Sequence, residues 1–195
     1  MNFVEVIEEY VKEKCKEYQD SSEDHYDFWH EHIKLVYDEA ISLAVIYNAD
    51  IEIVSIAALL HDIALILKVG TKVDHHINGE KIAREILESN NYNQEKMERV
   101  LKCILNHRSS KNATNIEELC VADADILAHF SNIPMLFNSA FVRNKVSLND
   151  VREWMMNVLE KDYNDLSDNT KKIFKSKYEE ILKTVIGESS YKIIK

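Results

Sequence analysis

The stretch Ala57-Ala58-Leu59-Leu60-His61-Asp62-Ile63-Ala64-Leu65-Ile66-Leu67 sets an adjacent imidazole and carboxylate inside an apolar run. The run is helix-length and contains neither glycine nor proline, so its centre is expected to be buried. An unpaired ionised carboxylate there would cost several kcal/mol or more. Any fold of this chain must therefore compensate His61 and Asp62, through a hydrogen-bond network or through a metal ion. The positions of the other histidines and of two later aspartates favour the metal.

The elements around this run follow from what the chain lacks. Three glycines and one proline among 195 residues leave few breaks, and the density of Leu, Ile, Glu and Lys predicts an all-α bundle of few, long helices. With 46% hydrophobic residues the length suits one core. The expected organisation is an N-terminal helix and linker over residues 1–24, a central domain over 25–132, and a C-terminal helical extension over 133–195, all packed together. The formal charge of -10 argues against extended nucleic-acid binding, and an anionic substrate would need local cations. Cys15, Cys103 and Cys120 are far apart and form no C-x-x-C, so they read as reduced core thiols. No basic leader and no apolar run of membrane-spanning length is seen, so a soluble, cytoplasmic protein without membrane contact is expected.

Along the chain, Phe3, Ile7, Tyr10, Val11 and Cys15 mark a first helix ending near Tyr18. A second, from about Asp27, places His32 on the inward stripe of Val36, Ala40, Leu43 and Tyr47. A third, capped by Asp50, carries His61-Asp62 at mid-length. Lys68 to Asn78 reads as a loop bearing His75 and His76, followed by a helix from about Ile77 with Ile82, Ala83, Ile86 and Leu87 inward. The next helix, from about Asn93, uses Met97, Val100, Leu101, Ile104 and Leu105 and ends near His107. Ile116 to Phe130 forms a sixth, with Asp123 and Asp125 in apolar surroundings. Residues two apart on a helix diverge by about 200°, so one of these aspartates at most shares a face with a given site, and periodicity does not choose between them. Pro134 reads as a break. Two more helices follow, near Leu148 to Leu159 behind Ser147 and near Asp168 to Ile186 before Gly187. Trp154, Met155 and Met156 on the first of these pack into the core or form the face of a homodimer.

His32, then His61-Asp62 after two leucines, then Ala124-Asp125-x-Leu127, resembles the HD superfamily of metal-dependent phosphohydrolases. His75-x-x-x-Gly79 and Ile104-x-x-His107 extend the resemblance, which covers roughly residues 25 to 132. It implies a helical HD domain with His32, His61, Asp62 and Asp125 as metal ligands. His75 and His107, with His76 as a substitute, complete a second metal site or hydrogen-bond the substrate. Asp62, His75 and His107 are the implied catalytic groups. The ligand set suits Mn, Fe, Co, Ni or Zn, as one or two ions.

The activity implied is hydrolysis of a small phosphate ester or nucleotide by a metal-activated water, with Asp62 taking its proton. Lys68, Lys72 and Arg108, with Lys111, are the cations close in sequence to the site. The chain departs from many small relatives by carrying Leu35, Leu65 and Ile126 where they carry polar residues. Two other readings remain open at this point: a histidine-rich di-iron oxygenase of HD type, and a metal-stabilised ligand-binding module without catalysis.

Overall fold

Asn2 opens the first helix through a capping box: its side-chain oxygen accepts from the Glu5 N–H at 2.9 Å, and the Glu5 carboxylate accepts from the Asn2 N–H at 2.9 Å. Helix α1 then runs Phe3–Ser21. The computed structural model describes residues 2–144 and 147–187. Trp29–Ile33 form a π-helical turn that feeds α2 (Lys34–Tyr47), followed by α3 (Ile51–Leu60), the short α4 (Ile63–Ile66), α5 (His75–Ser89) and α6 (Gln94–Asn106). A 3-10 turn at Ser110–Asn112 precedes α7 (Ile116–Ser131), α8 (Ile133–Asn144), α9 (Leu148–Asp165) and α10 (Asp168–Ile186). No strand occurs among the described residues, so the fold is all-α.

Chain contacts divide the protein into two units, Met1–Ala128 and His129–Lys195. In the first, α3 is the central element, packed against α1, α2 and α6. Every residue from Ile53 to Leu60 is buried, as a helix apolar on all sides requires. Asp50 caps it, accepting from the Glu52 and Ile53 N–H groups. The first unit also buries Cys15, Cys103 and Cys120 as free thiols, and burial pushes the Cys15 and Cys120 thiols up to about 12.

In the second unit, Phe130 meets Phe174 and Tyr178 edge to face, and Tyr163 stacks on Tyr178 at 4.0 Å. Met155 is buried, with Trp154 and Met156 half-buried beside it. Ser147 caps α9 in a capping box, and Gly187 ends α10 in the left-handed region. No described helix is long and apolar enough to cross a membrane.

Four local expectations are corrected. The His61-Asp62 pair does not lie within a helix: α3 stops at Leu60, and Asp62, at φ -106° and ψ 16°, starts α4. The chain bends there, which turns two adjacent side chains toward one point. His75 and His76 lie in the first turn of α5, not in a loop. Leu105, expected in the core, is 40% exposed, and Cys103 takes the buried position on α6. Finally, Pro134 lies in the first turn of a helix, where proline is tolerated because the missing N–H would have no partner.

Gly79 lets α5 lie close to the bend. A Cβ added there would stand 3.3 Å from the His61 carbonyl oxygen and 3.5 Å from Ile104 Cγ2. In Gly79→Ala the gain in helix propensity, about 1 kcal/mol, opposes overpacking worth about 1–3 kcal/mol. The expected net result is destabilisation on the order of 1 kcal/mol in urea unfolding, with weaker metal binding because His61 shifts. A more stable variant with unchanged metal affinity would show that α5 yields without moving the bend.

Candidate metal centre

The centre is assembled largely from helix ends. His32 comes from the π-helical turn, His61 and Asp62 from the bend between α3 and α4, and His75 from the first turn of α5. His107 follows the last residue of α6, and Asp125 lies within α7. A π turn widens the helix locally, a device frequent at functional sites.

Three of the imidazoles are oriented in the same way. His61 Nδ1 donates to the Ala58 carbonyl at 2.7 Å, His75 Nδ1 to Lys72 at 2.8 Å, and His107 Nδ1 to Ile104 at 2.6 Å. Each acceptor lies three residues before its histidine. A carbonyl can only accept, so each Nδ1 carries a proton and each ring turns its Nε2 to the interior, where a neutral imidazole offers a lone pair. For His61 and His107 the acceptor is a last-turn carbonyl that the helix itself leaves without a partner.

The Nε2 atoms converge on two carboxylates. His32 Nε2 lies 3.1 Å from His61 Nε2, 3.3 Å from Asp62 Oδ2 and 3.3 Å from Asp125 Oδ1. His61 Nε2 is 3.6 Å from Asp62 Oδ2 and 3.8 Å from Asp125 Oδ1. On the other side, Asp62 Oδ1 lies 3.2 Å from His75 Nε2 and 3.8 Å from His107 Nε2, and those two nitrogens are 3.0 Å apart. Asp62 thus presents one oxygen to each of two groups, His32–His61–Asp62 and Asp62–His75–His107, both of buried residues able to hold a metal ion.

These separations fit a cation. Donor atoms about 2.1 Å from one six-coordinate ion stand about 3.0 Å apart when adjacent. Two lone pairs facing each other at that distance repel unless a proton or a metal ion lies between them. With no ion, the proton serves: burial works against charge on His32, but Asp125 and Asp62 outweigh it and raise it to about 10. Burial likewise opposes a charged His75, and the bond to Asp62 raises it. Burial and the neighbouring His61 instead lower His107 to about 4. Burial acts against ionised Asp62 and Asp125, yet the histidines around them hold both below the usual carboxylate range. The cluster thus keeps two ionised carboxylates among imidazoles, a donor set that could hold a divalent cation.

Asp123 points elsewhere. Its Oδ1 accepts from Ser110 Oγ at 2.5 Å, whereas Asp125 faces the histidines, so the structure separates the two aspartates that periodicity left equivalent. Of the cations, Arg108 donates through Nη1 to the Val73 carbonyl at 2.8 Å, beside the first turn of α5. Lys72 is exposed and supplies the carbonyl that orients His75. Lys68 turns onto α1, with Nζ 3.2 Å from Ser21 Oγ and 4.6 Å from the Tyr18 ring centre. Lys111 is exposed in the 3-10 turn, and the half-buried His76 ring lies 5.7 Å from that of His75. Leu35 and Leu65 are half-buried and Ile126 is buried. The orienting carbonyls are invisible in sequence, although a histidine at a predicted helix end is a signal for one of them, that of His107.

Fold and site together define an all-helical protein with a buried His/Asp cluster that could hold divalent metal. The HD domain model matches residues 29–129, just over half of the chain. The protein belongs to the HD domain family. An uncharacterized protein of Clostridium beijerinckii is 32% identical over 80 residues, covering 36% of this chain and only 51% of its own length. An HD-superfamily hydrolase from Bacillus thuringiensis has a similar structure, with TM-score 0.66 and 21% identity over 95% of this chain and 93% of its own. Bacillus subtilis YpgQ, in a crystal structure with ADP, has TM-score 0.65 and 19% identity over 94% of each chain.

Proposed function

We propose that this protein is a metal-dependent phosphohydrolase acting on nucleotides, releasing phosphate or pyrophosphate. The observation that carries the proposal is the shared Asp62, whose two oxygens each face a separate pair of imidazole nitrogens. His32, His61, Asp62 and Asp125 would hold one divalent ion, and Asp62, His75 and His107 a second. Such ions polarise a phosphoryl oxygen and lower the pKa of a water toward about 7. Asp62 takes the proton of the attacking water, being the carboxylate nearest both groups of ligands. His75 and His107 act as ligands in this reading, because their Nδ1 protons are already committed to backbone carbonyls.

Arg108, adjacent to His107, and Lys72, whose carbonyl holds His75, would meet further phosphate charge in an otherwise acidic protein. The nucleotide preference is supported by the ADP bound to the related Bacillus subtilis protein. The metal is one of Mn, Fe, Co, Ni or Zn. The test is to incubate metal-reconstituted protein with nucleoside mono-, di- and triphosphates and analyse the products. Phosphate or pyrophosphate release is expected from the wild type and not from Asp62→Ala. No release with any of these metals would overturn the proposal.

A further inference from the structure

Helix α7 carries two fully buried carboxylates that this hydrolytic reading does not use, Glu118 and Asp123. Both Glu118 oxygens are surrounded by donors. Oε2 accepts from the Thr114 N–H at 2.8 Å and Asn106 Nδ2 at 3.0 Å, and Oε1 from Asn115 Nδ2 at 2.7 Å and Thr114 Oγ1 at 3.0 Å. Asp123 takes Ser110 Oγ at 2.5 Å. These donors are the two ends and the middle of a single segment, residues 106–115, and that segment carries His107 and Arg108. Burying a carboxylate is expensive unless its bonds are well made. Here two of them are directed at one connection between helices.

We infer that Glu118 and Asp123 are positioning residues for the second ion: they hold the segment so that His107 Nε2 stays beside His75 and Asp62. The inference rests on the two-ion reading above. Helix α7 then serves both groups of ligands, supplying Asp125 directly to one and holding His107 in place for the other. At Glu118 the dependence is on the carboxylate as such, since both of its oxygens accept; at Asp123 it is on the one oxygen that accepts from Ser110. In Glu118→Gln, of nearly equal shape, the amide NH2 faces an N–H donor whichever way it is turned, and the segment has to shift.

The test is titration of metal-stripped protein with Mn2+, counting ions by calorimetry and following the electron paramagnetic resonance of spin-coupled Mn2+ pairs. The wild type is expected to take two ions and show the coupled signal. Glu118→Gln and Asp123→Ala are expected to keep the first ion at wild-type affinity while the second weakens about tenfold or more and the coupled signal is lost. Asp123→Asn, whose side-chain oxygen still accepts from Ser110, is expected to restore both. Should Asp123→Ala fail to fold by circular dichroism, Ser110→Ala removes the same bond from the segment side and decides the point. Unchanged binding of both ions, or equal weakening of both, would overturn the inference. A wild type that binds one ion would overturn the two-ion reading on which it stands.

Discussion

Asp62→Ala is expected to lose both ions at metal concentrations that saturate the wild type, and to lose hydrolysis by more than about a hundredfold, the upper range seen when only a supporting group is removed. The reason is the division of its two oxygens: Oδ2 lies 3.3 Å from His32 Nε2 and Oδ1 3.2 Å from His75 Nε2, so one substitution takes a ligand from each group. His107→Ala, by contrast, removes a ligand from one group and is expected to leave one ion. Neither change should unfold the helices, because α3 and α6 are held by cores of Ile, Leu and Val away from the polar cluster. Metal content by mass spectrometry with far-ultraviolet circular dichroism checks both. An Asp62→Ala protein that keeps its metal and its turnover would remove Asp62 from the chemistry.

Chelation is expected to lower the melting temperature on the order of 10 °C per ion. An ion present at about a thousand times its Kd stabilises by about 4 kcal/mol, and each kcal/mol moves a chain of this length by about 2–4 °C. The metal-free protein should still fold. Asp62 and Asp125 both lie 3.3 Å from His32 Nε2, and a proton on His32 compensates them when no metal is bound, so the cluster is not left with two bare carboxylates. A differential scanning measurement with and without chelator checks this. An unchanged melting temperature would mean that the cluster holds no tightly bound ion.

Much of the fold is legible in the sequence because helices announce themselves through periodicity and caps. Asp50 and Ser147 cap where their side chains suggest, and Gly187 ends the last described helix. The losses are physical. Pro134 reads as a break, yet the same missing N–H makes it suitable for the first turn of α8. The bend at His61-Asp62 is hidden because the flanking residues are all helix-compatible, and only tertiary packing, with Gly79 close to the His61 carbonyl, distinguishes a bend from a continuous helix. At the site, the histidines and aspartates can be named from the chain. Periodicity alone leaves Asp123 and Asp125 equivalent; the resemblance of Ala124-Asp125-x-Leu127 names Asp125, and the partners Ser110 and His32 give the physical difference between the two. Glu118 carries no signal of its own in sequence, because its partners look like an ordinary helix-end residue, Asn106, and ordinary loop residues, Thr114 and Asn115.

The most direct measurement is anomalous X-ray diffraction from crystals of the metal-loaded protein, collected at the absorption edge of the bound metal. Two peaks are expected, one among His32, His61, Asp62 and Asp125 and the other among Asp62, His75 and His107, with the Asp62 carboxylate between them. A single peak away from Asp62, or none in protein that turns over nucleotides, would contradict a shared two-ion centre.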